Sequence, residues 1–324
     1  MRRRDILAAL GGTAFSWPFI GRAQQPEQMR RIGFLGLSPA SSYAGRIEAL
    51  RAGLSDLGFV ETKNIVFEFR WADEPDQLNK FATELMNAQV AIIVTTGNSA
   101  TLAAKSNTLS VPIVFSAADD PVRLGFVSSF SQPGGNLTGV SMISGTLGPK
   151  RVDLLRELVP NARVVGILRN PNNPAERVRD EQAVAEAAGL HVVESDVSSA
   201  GDIDTAFTLL VQKRTDVLLV NSDANLTAHR DQIVSLAARH SIPALYPWRE
   251  YADAGGLMSY GTNLNDIYRQ VGVYAGRILR GVRPTELPVI QPTKFELVIN
   301  LKTAKTLGMD ISPKLLALAD AVIE

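Results

Sequence analysis

The sequence predicts an α/β fold: two doubly wound, parallel-sheet, Rossmann-like lobes with a cleft between them. Three observations carry this. From residue 30 onward, short apolar runs alternate with amphipathic stretches. The same order of segments occurs twice. Matched segments stand about 130 residues apart, which is the length of one domain.

The first copy opens with the apolar run Arg31–Gly36, followed by the loop Leu37-Ser38-Pro39. Residues 43–58 have helical spacing, because Ile47, Leu50, Leu54 and Leu57 share a face and Gly58 supplies a stop. Asn64–Phe69 is a second strand, and residues 75–87 a second helix opened by Pro75. Val90–Thr95, Val111–Phe115 and Leu137–Ser141 are further strands, and residues 99–107 are a short helix capped by Asn98 or Ser99. Such runs are apolar throughout instead of alternating, so they suit a parallel sheet covered on both faces.

The second copy follows the same plan. Arg163–Leu168 matches the first strand, and residues 175–188 form a helix ending at Gly189. His191–Glu194 is the next strand and Asp202–Gln212 the next helix, with Asp202 as a cap candidate. Asp216–Val220 echoes Val90–Val94, and Ser241–Tyr246 echoes Ser110–Phe115. In open sheets of this kind a ligand sits beyond the carboxyl ends of the strands, near the point where strand order reverses.

Four polar loops fall at those places: Thr95–Ser99, Ser116–Pro121, Asn170–Pro174 and Asn221–Asn225. Taken singly, Asn, Ser and Asp before helices are usually caps, and Asn-Pro pairs are usually turns. Four such loops at equivalent positions of two lobes are what a polar small-molecule cleft requires. Candidate ligand-binding residues are Ser38, Tyr43, Asn98, Ser99, Asp119, Asn170, Asn172, Asn221, Asp223 and Trp248. The amides of residues 97–99 and the Ser99 hydroxyl suit a carboxylate, while Asp223, Asp119 or Asp120 suits an amine. The aromatic residues Tyr43, Phe115, Tyr246, Trp248 and Tyr260 stand near strand ends, where rings either stack on a ligand or pack beneath the loops.

Composition narrows the function. Thirty-three Lys and Arg balance 33 Asp and Glu, which gives no electrostatic case for nucleic acid. There is no cysteine, so disulfides, zinc–thiolate sites and thiol catalysis are excluded. No phosphate-binding glycine loop or nucleophile elbow is present, and His229 and His240 are too far apart for an H-E-x-x-H metal site. No catalytic residue, metal or cofactor is expected. Residues 1–23 read as an export signal: Arg2, Arg3 and Arg4 precede the apolar stretch Ile6–Ile20, and Gly21-Arg22-Ala23 suits cleavage before Gln24. Arg3–Leu7 also resembles a twin-arginine signal, so either export route is open. The mature protein is expected to be a soluble periplasmic monomer.

Longer stretches carry a family resemblance. They are Asp120-Pro121-Val122 with Gly125 and Val127, Gln132–Ser141, Leu154–Pro160, Gly255–Gly261, Pro288–Asn300 and Ala319–Glu324. In this order they resemble the tryptophan/tyrosine-type ABC substrate-binding proteins, within the type I periplasmic binding fold. Phe126 stands where that pattern has leucine. The resemblance implies capture of a small solute and delivery to separate permease and ATPase subunits. It also implies ligand contacts at the loop positions Ser38, Asn98, Ser99, Asn170, Asn221 and Asp223.

The expected lobes are residues 30–142 plus 265–281, and 146–262 plus 285–324, with the lobe of the tail left open. Gly145, Gly148 and the segment 263–265 are hinge candidates. The ligand expected is an amino-acid-like or aromatic carboxylate, closed upon by both lobes. An exported α/β enzyme using the same cleft and a ligand-presenting sensory protein remain as alternatives.

Overall fold

A computed structural model describes residues 29–37, 40–177 and 181–324. Both the export segment 1–23 and Ser38 therefore lie outside the described residues. The first copy comprises β1 (Arg30–Leu37), α1 (Ala44–Ser55), β2 (Ile65–Ala72), α2 (Gln77–Asn87), β3 (Ile92–Thr96), α3 (Gly97–Asn107), β4 (Ile113–Ala117) and β5 (Leu137–Ser141). These strands form one parallel sheet in the order β2-β1-β3-β4-β5. β3, β4 and β5 are buried along their whole length, as apolar runs in a doubly covered sheet should be.

The second copy comprises α4 (Gly148–Leu158), β6 (Val164–Arg169), α5 (Glu181–Ala187), β7 (His191–Asp196), α6 (Asp202–Gln212), β8 (Val217–Val220), α7 (Ala224–Ala228), α8 (Arg230–Arg239), β9 (Ala244–Tyr246), α9 (Arg249–Asp253) and β10 (Met258–Gly261). The chain continues through α10 (Leu264–Leu279), β11 (Glu296–Asn300), α11 (Leu301–Thr306), α12 (Pro313–Leu318) and β12 (Ala321–Ile323). The second sheet runs β12-β11-β10-β9-β8-β6-β7. Its run β7-β6-β8-β9-β10 repeats the order of the first sheet. β11 adds antiparallel to β10, and β12 parallel to β11.

Two local expectations are corrected. The helix predicted over 99–107 begins at Gly97, so Asn98 and Ser99 lie inside its first turn and Thr96 is the N-cap. Gly97 has φ +80°, a left-handed conformation that lets the chain turn straight from β3 into α3 and that a side chain would strain. The single helix predicted over 175–188 is instead a 3-10 turn, Pro174–Arg177, followed by α5. Asp202 is not an N-cap either. Gly201 holds that position, while the Asp202 carboxylate accepts from the Ser198 and Ser199 amides.

α10 returns from the second copy to pack on α1 of the first. The two backbones meet at glycines: a Cβ on Gly53 would lie 2.0 Å from the Arg269 carbonyl, and one on Gly272 would lie 2.2 Å from the Leu50 carbonyl. Around this crossing Leu50, Leu54, Ile267, Val271 and Ala275 are buried in one core, each larger side chain contributing about 1.5–3 kcal/mol. The chain passes between the sheets after β5, after β10 and before β11. The last passage is pinned to the first sheet, where Ile290 N–H donates to Gly139 O and Ser141 N–H donates to Ile290 O, both at 2.9 Å.

Candidate functional site

The reversal of strand order falls between β1 and β3 in one sheet and between β6 and β8 in the other. The loops leaving those strands meet around a cavity of about 530 Å³, part of it open to solvent. This lies in the size range of small-molecule sites. The cavity has a polar end and an apolar end. Thr96, Gly97, Asn98, Ser99, Asn173, Ser222, Asp223 and Thr227 supply the first. Leu37, Tyr43, Met142, Trp248, Leu264 and Tyr268 supply the second, together with the cation of Arg46.

At the polar end a hydrogen-bonded chain runs from one lobe to the other. Asn98 Nδ2 donates to Asp119 Oδ2 at 3.1 Å within its own lobe and to Asn173 Oδ1 at 3.0 Å across the cleft. Asn98 Oδ1 accepts from the Ala118 amide. Asn173 Nδ2 then donates to Asp223 Oδ2 at 2.8 Å. Asp223 caps α7, accepting the Leu226 amide at 3.0 Å, and also receives Asn170 Nδ2 at 3.3 Å. Gly97 faces Ala224 across the same gap: a Cβ on Gly97 would come 3.4 Å from the Ala224 Cβ.

At the apolar end the rings of Tyr43, Trp248 and Tyr268 line the wall, all three buried. Tyr43 OH donates to Leu37 O, and Tyr268 OH hydrogen-bonds with Thr96 Oγ1. The Arg46 guanidinium carbon lies 4.9 Å from the Tyr43 ring centroid and 6.0 Å from that of Tyr268, within cation–π range. Arg46 Nη2 stands 3.5 Å from Glu250 Oε1. Because α1 and α9 belong to different lobes, this ion pair also crosses the cleft. Burial works against the charge of Arg46, but Glu250, and after it Tyr268 and Tyr43, outweigh it, so its pKa is raised.

The structure thus brings five candidates to the cavity: Tyr43, Asn98, Ser99, Asp223 and Trp248. Four others lie off its wall. Asp119 and Asn170 are buried behind it as partners of Asn98 and Asp223. Asn221 is buried but does not line it. Asn172 is exposed and donates to Ser198 Oγ. Among the other aromatics, Phe115 packs on Phe126 and Tyr246 on Tyr251 in the core, while Tyr260 faces Phe295. Asp120 closes a turn with the Val122 and Arg123 amides.

Sequence reasoning missed Arg46, Asn173 and Tyr268. Arg46 carried a signal, since it follows Tyr43 by three residues and so shares the helix face of Ile47 and Leu50. Among the described residues, no cluster of three or more His, Asp or Glu could hold a metal ion, and no helix is long and apolar enough to cross a membrane.

Twin parallel-sheet lobes, three chain passages between them and a cavity walled by both define a small-solute receptor of the type I periplasmic binding fold. The chain matches the family described as ABC transporter substrate binding protein over residues 40–323, and it belongs to that family. The family is one of solute receptors that work with a transporter. A tyrosine-binding protein of Clostridioides difficile is 26% identical over 286 residues, covering 87% of this chain and 82% of that protein. A Streptococcus pneumonia structure, described as an ABC domain in complex with L-Trp, is 24% identical with a TM-score of 0.82, covering 91% of this chain and 100% of that one. A substrate-binding protein with adhesive properties from Clostridium difficile, in a ligand-free, open structure, is 23% identical with a TM-score of 0.63, covering 91% and 99%. At almost equal identity the chain follows the ligand-bound neighbour more closely than the open one. The direct bonds between its lobes accord with that.

Proposed function

We propose that the mature protein is the periplasmic receptor of an ABC importer, acting without catalysis, and that its ligand is an amino acid with an aromatic side chain. The observation that carries this is the two-ended cavity enclosed by both lobes. The α3 amides and Ser99 take the ligand carboxylate, because unpaired N–H groups and the helix dipole favour negative charge there. Asp223 takes the ammonium, and Tyr43, Trp248 and Tyr268 surround the ring. Relatives named for tyrosine and L-Trp support the aromatic choice.

The lobes divide near residues 142–146, 262–264 and 291–295. A ligand that touches both favours closure, since it binds the closed state better than the open one. Residues 1–23 direct export and are removed near Ala23, and the mature chain works as a monomer.

Native mass spectrometry of the mature protein, followed by release and identification of the bound molecule, tests the proposal. A co-purifying aromatic amino acid, recovered unchanged, is expected. Chemical conversion of the bound molecule overturns the receptor reading. A bound ligand without an aromatic ring overturns the ligand class alone.

A further inference from the structure

The aromatic amino-acid reading leaves one part of the cavity without a role, and the following rests on that reading. Arg46, 6% exposed, lines the ring end. Its Nη2 has no hydrogen-bond partner, and neither has the buried Oε2 of Glu250, although the two side chains approach to 3.5 Å. A buried donor and a buried acceptor, side by side and unsatisfied, each cost free energy until something completes them. A carboxylate would complete only one of them, because what it gains from Arg46 is opposed by Glu250. A hydroxyl both accepts and donates, so it can satisfy the two atoms at once.

The length of the cavity agrees. Tyr268 bridges it internally: its hydroxyl bonds Thr96, beside the start of α3, while its ring lies 6.0 Å from the Arg46 guanidinium carbon. The polar end and the Arg46 end are therefore about one tyrosine ring apart. A ligand ring lying alongside, with its amino-acid head at α3 and Asp223, would present its far edge to Arg46.

We infer that Arg46 and Glu250 together recognise a hydroxyl on the far edge of the ligand ring, so that the preferred ligand is a hydroxylated aromatic amino acid. The pair sets specificity, whereas α3 and Asp223 hold the group common to all amino acids.

The test is isothermal titration of the mature protein with L-tyrosine and with L-phenylalanine, in wild type, Arg46→Met and Glu250→Gln. Wild type is expected to bind tyrosine about tenfold or more tightly than phenylalanine, the worth of a hydrogen bond to charged groups. Arg46→Met should bring the two ligands to within about twofold of each other. Glu250→Gln keeps size and shape, and should narrow the preference as well, so the inference stays testable if Arg46→Met does not fold. Equal binding of the two ligands by wild type overturns the inference and leaves the aromatic reading standing. So does a preference that survives both substitutions. Failure of both ligands to bind overturns the two together.

Discussion

Asn173→Ala removes the middle of the hydrogen-bonded chain that joins the lobes. In wild type, Asn173 accepts from Asn98 across the cleft and donates to Asp223, and both asparagines are buried. When the lobes part, water serves all of these groups, so the bonds bias only the closed state. In the variant, closing still removes the water but gives Asp223 Oδ2 no donor in return. The cost of leaving a buried polar group unsatisfied is about 1–3 kcal/mol, which corresponds to about 5- to 150-fold in the closing equilibrium. Ligand affinity falls by the same factor, because the apparent constant scales with the fraction that is competent to bind. Small-angle scattering of the ligand-free variant should show a more extended particle, and calorimetry a weaker Kd. The control is Asn172→Ala, one residue away, exposed and bonded only to Ser198 Oγ through its side chain, which should change neither. If Asn173→Ala leaves scattering and affinity at wild-type values, the cross-cleft chain does not bias closure and the reasoning fails.

Three further outcomes follow from the same structure. Gly272→Ala places a Cβ 2.2 Å from the Leu50 carbonyl, and backbone must move to admit it. A loss of about 2–3 kcal/mol is expected, seen as a Tm lower by several degrees in calorimetry. Trp248 lines the cavity whereas Trp71 packs outside it against Phe69, so ligand should change the tryptophan emission of wild type and of Trp71→Phe but hardly that of Trp248→Phe. The Asp202 carboxylate accepts the Ser199 and Ser198 amides, and these hold its pKa below the usual aspartate range. A depressed folded pKa gives stability that is present above the unfolded value and lost as pH falls through the folded one. Asp202→Asn should therefore lower the urea midpoint at neutral pH and flatten its decline in acid.

The sheets were legible because their strands are short, apolar and repeated, and because crossover handedness leaves few ways to arrange them. The order β2-β1-β3-β4-β5 and its second copy follow from that. The site was legible only as a set of loops. Asn98 and Asn170 stand where a ligand contact was expected, but the closed lobes use their amide groups on one another and on aspartates, and sequence spacing does not distinguish these uses. Asn172 differs from Asn173 by one position, yet one faces solvent and the other spans the cleft, because the turn at Asn170–Pro174 directs them apart. Arg46 was missed for a different reason. A cation on a helix ordinarily points to water, and only the arrival of α9 and α10 from far along the chain buries this one.

The pairing of α1 with α10 also bears on the order in which the molecule can assemble. Every strand of the first sheet has left the ribosome by residue 141, yet the helix that covers one side of α1 ends at Leu279. Until then Leu50, Leu54 and Gly53 have no permanent cover, and the first lobe is a sheet with an open flank. The second lobe, in contrast, has its own strands β6 to β10 complete by residue 261. Assembly therefore runs against the direction of synthesis: the part made first is finished last. A chain of this kind stays incompletely folded through most of its elongation, and a truncation before α10 would strand the first lobe in that state.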